Sequence, residues 1–196
     1  LQEGTYAPST TGEFFPVVMI DNVNLIGQDE ETSILDAQGT ARVITMQGCD
    51  NNTISNITIT GGLAEGDSSD TRGGGMSIVS SSPTLAHVTI VGNTAEDWGG
   101  GMYVGSSNPT LTHVTITDNL ATYDGGGMYL EAPITMVNSI MWDNLDDAGS
   151  GHDSFDYYYN YENNMVPGAW DEQDPPTITY SNIAGDSIWF GEGNIN

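Results

Sequence analysis

Apolar and polar residues alternate with a period of two in short runs, and the runs themselves recur. Met102 to Val104, Thr110 to Thr112 and His113 to Thr117 each place apolar side chains on one side and polar ones on the other. That is the pattern of a half-buried strand. It predicts that Met76, Ile78, Met102, Val104, Met128 and Leu130 point inward, with Val88, Ile90, Val114 and Ile116. It predicts that Ser77, Tyr103 and Tyr129 point outward. Glycines and the Ser-Asn-Pro segment at 107–109 supply corners, where the chain needs a positive or a fixed φ.

The recurrence has one period. Gly73-Gly74-Gly75-Met76 returns at Gly99 to Met102 and again at Gly125 to Met128, each time 26 residues later. Pro83-Thr84-Leu85 returns as Pro109-Thr110-Leu111, and His87-Val88-Thr89-Ile90 as His113-Val114-Thr115-Ile116, both at the same offset. Three short strands per 26 residues, with like residues once per period, describe a coil. Stacked coils bring equivalent residues to about 4.8 Å of each other. The expected fold is therefore all-β: a single-stranded right-handed parallel β-helix, each coil burying its apolar side against its neighbours.

The period extends past the perfect copies. Asn56 to Gly61 matches His87 to Gly92, with a five-residue insertion in the coil that follows. Asn138 to Asn144 is a degenerate copy, Thr177 to Ile183 a last coil, and Val23 to Gly27 and Ala41 to Met46 looser early ones. Asn93, Asn119 and Asn144 recur in phase and predict a hydrogen-bonded ladder of side chains. One β-helix domain thus spans 1–196, with an acidic and aromatic loop at 145–176 before the last coil. The opening at Leu1 to Tyr6 reads as the inside of a structural unit, as in a processed chain.

Composition narrows the partners. Lys plus Arg is 2 and Asp plus Glu is 27, for a net charge of −25. The only fixed cations are Arg42 and Arg72. Nucleic acid needs several cations to neutralise phosphate and is excluded. Anionic surfaces are disfavoured for the same reason. No apolar run reaches membrane-spanning length, so no membrane insertion is expected. One cysteine, Cys49, excludes an intrachain disulfide framework.

The phrases Gly4-Thr5-Tyr6, Leu25-Ile26-Gly27 and Ile34-Leu35-Asp36-Ala37 resemble the first coil of the secreted bacterial right-handed parallel β-helix repeat family, which has a pectate-lyase-like fold. Asn138-Ser139-Ile140-Met141-Trp142, Thr179 to Ile183 and Gly191 to Ile195 are similar to the late coils of cell-surface members with C-terminal anchoring modules. The resemblance implies an extracellular or cell-surface location. Lyases, hydrolases, adhesins and tailspikes share this fold, so fold alone leaves the activity open.

Candidate chemistry follows the chain. Polyuronate cleavage would use Arg42 as base, but no companion cation holds a uronate; Arg72 is expected to pair with Asp67 or Asp70. Asp97, Asp118 and Asp124 lie near corners, and no pair of them stands out for glycoside hydrolysis. His87 and His113 form either a stacked surface pair or half of a metal site. Outward Thr58, Thr60, Thr115 and Thr117 resemble ice-binding faces. In the 145–176 loop, Asp146, Asp147, Asp153 and Asp156 are candidate calcium ligands, since calcium takes hard oxygen donors. Tyr157, Tyr159 and Trp170 are candidates for stacking on glycans. Asn51 and Asn56 open glycosylation sequons.

The ends weigh most. No amphipathic helix caps either one, and open solenoid edges recruit further strands. Leu1, Tyr6, Ile188, Trp189 and Phe190 are the expected self-assembly residues. The leading expectation is an extracellular structural or adhesive subunit forming head-to-tail filaments, calcium-stabilised and glycosylated. The alternatives are a surface carbohydrate-binding or polysaccharide-degrading β-helix protein and an ice-binding protein.

Overall fold

A computed structural model describes residues 1–67, 70–146, 155–157 as backbone strand, and 177–183. Among them there are strands and no helix, and every strand pairing is parallel. This is an all-β molecule whose strands stack in three sheets, consistent with a parallel β-solenoid.

One coil shows the plan. The chain runs through Thr84–Val91 in the ten-stranded sheet and turns at Gly92 and Asn93. It then crosses Thr94–Ala95 in the four-stranded sheet and Met102–Gly105 in the six-stranded sheet. It returns to the first sheet at Thr110–Thr117, directly beside Thr84–Val91. The register is the sequence period: Thr110 faces Thr84, Met102 faces Met76 and Met128, and Leu120 faces Thr94.

The alternation places the core as expected. Leu85, Val88, Ile90, Ala95, Met102 and Val104 are fully buried, and so are Leu111, Val114, Ile116, Ala121, Met128 and Leu130 one coil on. Each coil has no inside of its own; only its neighbours remove this apolar surface from water.

Two details differ from the sequence reading. The segments expected as two strands, Thr110 to Thr112 and His113 to Thr117, form one strand, Thr110–Thr117, bent at His113. His113 has φ 54°, and Asn56, His87, Asn138 and Tyr180 at the equivalent positions have φ between 50° and 55°. Pairing skips this residue and resumes beyond it, so the bend separates two faces within one strand. The second difference is the four-stranded sheet of Leu63–Ala64, Thr94–Ala95, Leu120–Ala121 and Leu145–Asp146. Two residues are too short to show a period, so no pattern announced it.

Glycine is needed where strands turn between sheets. A Cβ on Gly100 would stand 2.4 Å from the Leu120 carbonyl oxygen and 2.5 Å from that of Gly126. The recurring Gly triplet is therefore a close backbone approach between coils, beyond its use as a turn signal.

The corner ladder forms. The Asn93 amide donates to Asn119 Oδ1 at 2.9 Å, and the Asn119 amide to Asn144 Oδ1 at 2.9 Å. Backbone N–H groups join: Asn93 N reaches Asn119 Oδ1 at 3.0 Å, and Gly62 N reaches Asn93 Oδ1 at 2.8 Å. A second corner uses hydroxyls. Ser81 N donates to Ser107 Oγ at 3.0 Å and Cys49 N to Ser81 Oγ at 3.0 Å, so buried Cys49 stands in a serine row.

Insertions can be placed from the register. Ala64 pairs Ala95, 31 residues away, whereas the Thr71 hydroxyl donates to Asp97, 26 residues away. The extra five residues thus lie between Ala64 and Thr71. Within the stretch read as the 145–176 loop, Leu145–Asp146 pairs Leu120–Ala121 and Phe155–Tyr157 pairs Met128–Leu130. The ladders therefore continue to Tyr157. The surplus follows it: twenty positions separate Tyr157 from Thr177, against five between Leu130 and Thr135.

Candidate functional site

The chemistry-bearing side chains gather on the outer face of the six-stranded sheet. Arg72, Trp98 and Asp124 are equivalent positions on three coils, as are Gly105 and Glu131, and Ser77, Tyr103 and Tyr129. Alternation turns Tyr103 and Tyr129 outward, yet each is only 4% exposed. The reason is lateral stacking. Tyr103 lies on Tyr129 with centroids 6.1 Å apart, and Trp98 lies on Tyr129 at 5.4 Å.

Arg72 closes the cluster. Its guanidinium carbon sits 4.3 Å from the Trp98 ring centroid and 5.2 Å from that of Tyr103. Its Nη1 donates to Tyr103 Oη at 3.0 Å and stands 3.9 Å from Glu131 Oε1. The expectation that Arg72 pairs with Asp67 or Asp70 is corrected: its partner comes from two coils further on. Gly105 leaves the room, since a Cβ there would press at 3.1 Å on the Tyr103 hydroxyl. Burial, with Glu131 beside the hydroxyl, pushes the Tyr103 phenol up to about 12, while Arg72 acts the other way.

An acidic flank adjoins the rings. Burial, and then the charge of Asp146, raise the Asp124 carboxyl, while a hydrogen bond from Trp98 lowers it. Asp146 belongs to the last strand of the four-stranded sheet, where Ala64, Ala95 and Ala121 precede it in register. Tyr123, in the same loop as Asp124, is exposed, and its N–H donates to the Asp97 carbonyl at 3.0 Å.

Arg42 lies beneath and is structural. Its Nε donates to the Gly73 carbonyl at 2.9 Å and its Nη2 to the Asp70 carbonyl at 3.1 Å. Burial lowers its pKa, opposed by the charge of Asp70. It thereby fixes the backbone on both sides of Arg72, just after the insertion.

The remaining expected residues scatter. Asp156 and Tyr157 lie in the strand beside Tyr129 and Leu130, one coil from the cluster. Asp147, Asp153, Tyr159, Trp170, Ile188, Trp189 and Phe190 lie outside the described residues. Asn51 is exposed, its amide donating to Asn22 Oδ1 at 3.1 Å. Asn56 is half-buried and borders a shallow hollow with Asp29, Glu30, Glu31 and His87. His87 and His113 stack face to face at 4.8 Å with rings 2° from parallel. Among the described residues no three His, Cys, Asp or Glu side chains are placed to hold one metal ion.

The N-terminal end is the second region of interest. Gly4–Tyr6, Val17–Val18 and Leu25–Ile26 each pair on one side only among the described residues. Phe14 is 93% exposed, Val18 65% and Ile20 61%; Leu1, Val23 and Ile26 are exposed as well. The Leu1 ammonium donates to the Ile26 carbonyl. Tyr6 is half-buried, packs on the core and exchanges hydrogen bonds with the Gln2 backbone at 3.0 and 3.1 Å.

The Arg72 cluster escaped the sequence reading although its signal was present. The 26-residue period puts Arg72, Trp98 and Asp124 in one row, but three unlike side chains in phase do not stand out as a repeat. No family model matches the chain, and comparisons with curated proteins and with solved structures return no match.

Proposed function

We propose that this chain is an extracellular structural or adhesive subunit, a right-handed parallel β-helix that joins end to end with further copies of itself. The general rule for parallel strands supports the handedness: crossovers between neighbouring parallel strands are right-handed in nearly all known cases. The carrying observation is the first coil. Among the described residues its strands in two sheets pair on one side only, beside the exposed side chains of Phe14, Val18, Ile20, Val23 and Ile26.

An open coil edge asks for a partner of the same cross-section, offering parallel strands in the same three directions. The chain's own coils have that shape. Backbone pairing then extends the ladders, and the apolar residues leave water in the same step. A net charge of −25 opposes such an assembly, and calcium is the counter-ion we assign to it. The sequon at Asn51 is exposed and takes the glycan in this reading.

Negative-stain electron microscopy and sedimentation velocity of the purified chain in millimolar calcium test this. Filaments or rods of several subunits, lost in Phe14→Asp with Ile20→Asp while the melting temperature holds, are the expected result. Dispersed single-subunit rods, or assembly indifferent to the double substitution, would overturn it.

A further inference from the structure

The Arg72 cluster is built like a binding site, and its occupant belongs to the chain. Two aromatic rings face one guanidinium, a phenol oxygen accepts from it, and a carboxylate stands beyond. These are the elements by which proteins recognise arginine side chains. Arg72 fills them loosely for an internal residue. Its side chain keeps 30% of its surface exposed, the Glu131 contact is at the outer limit of an ion pair, and its Nε is buried without a hydrogen-bond acceptor among the described residues.

Charge sharpens the point. Arg42 is buried and spent on backbone carbonyls, so Arg72 is the one accessible fixed cation in a chain with 27 acidic residues. The surroundings remain strongly negative with Arg72 in place. Asp67 and Asp70 precede it in the chain and are exposed, Glu131 is 3.9 Å away, and Asp124, which bonds Trp98, feels the charge of Asp146.

We infer that the face formed by Trp98, Tyr103, Tyr129 and Glu131 docks an arginine side chain from a basic segment of a partner protein, with Arg72 as the internal surrogate that the partner displaces. Stacking selects guanidinium over ammonium, because a planar, weakly hydrated cation lies flat on a ring. The surrogate sets a threshold: a partner must bring more than a single arginine's contact, which an extended basic segment does through the acidic surround. The inference does not depend on end-to-end assembly, since the site faces sideways from the stack.

Fluorescence anisotropy at physiological ionic strength tests it, with a labelled arginine-containing peptide and its lysine twin as probes. The full-length chain is expected to bind the arginine peptide more tightly than the lysine one. Arg72→Gln removes the competitor and is expected to tighten arginine binding about fivefold. Adding Trp98→Leu or Glu131→Gln to that variant is expected to reverse the gain. Glu131 is an exposed side chain, so its substitution leaves the fold as a constant. Equal binding of the two peptides would show plain charge attraction and overturn the inference. So would an Arg72→Gln chain that binds no more tightly, a gain untouched by both second substitutions, or no binding by any form.

Discussion

The middle coils and the first coil obey the same period with opposite results. Between Met76 and Leu130, every inward residue has an equivalent above and below, and every strand pairs on both edges. Among the described residues, the strands of 1–26 pair on one side only, and Phe14, Val18, Ile20, Val23 and Ile26 remain exposed. The same alternation thus yields a core in one place and a sticky surface in the other. A solenoid's stability is a property of interfaces between coils, not of the coils themselves.

Breaking a corner ladder should separate the regions most strongly. Asn119 accepts from the Asn93 amide and donates to Asn144 Oδ1 and to the Ile90 and Thr117 carbonyls, its side chain buried. Asn119→Ala leaves several buried groups unsatisfied, and a loss of about 4 kcal/mol in urea unfolding is expected. In the first coil, Asn24 accepts from Thr53 N at 2.8 Å at the surface. Asn24→Ala should cost about 1 kcal/mol, because water replaces that bond.

Glycines sharpen the contrast next. Gly100→Ala forces a Cβ against two carbonyl oxygens of neighbouring coils, and about 3 kcal/mol of destabilisation is expected. Gly12, at φ 75° in open space, meets nothing, and Gly12→Ala should cost about 1 kcal/mol from its backbone conformation alone. Parity between the two would mean that coil-to-coil approach does not set the glycine pattern.

The Arg72 cluster gives a pH signature. Tyr103 titrates at about 12 in the folded chain against 10 when unfolded. The raised value means that the neutral phenol is favoured by folding. Its contribution is whole below pH 10 and is lost as pH rises through about 12. Melting temperature should therefore fall across that window, and Tyr103→Phe should flatten the fall. The smallest effect is expected at the bend. His113→Asn keeps a residue type that tolerates positive φ, as Asn56 and Asn138 do in the same row, and should stay within about 0.5 kcal/mol. A larger loss would give the His87–His113 stack a weight that an exposed ring pair does not ordinarily carry.

Legibility followed the same division. The Asn93–Asn119–Asn144 ladder, the inward Met and Ile rows and the all-β parallel architecture were readable, because each rests on one side chain repeating at a fixed offset. The four-stranded sheet was not, because two residues carry no alternation. The outward tyrosines were placed on the correct side, yet their burial was missed. Burial there depends on rings from neighbouring loops, and a strand pattern contains no information about loops.

Period, register and inward face belong to the sequence alone, because parallel in-register stacking turns an offset along the chain into a contact between coils. The partner of Arg72 was decided only in three dimensions. The sequence offered nearby Asp67 and Asp70. The fold chose Trp98, Tyr103 and Glu131, since stacking puts residues 26 and more positions away closer to the guanidinium than local carboxylates on an exposed segment. Coulomb attraction between exposed charges is weak in water, and two ring faces with a phenol acceptor outweigh it.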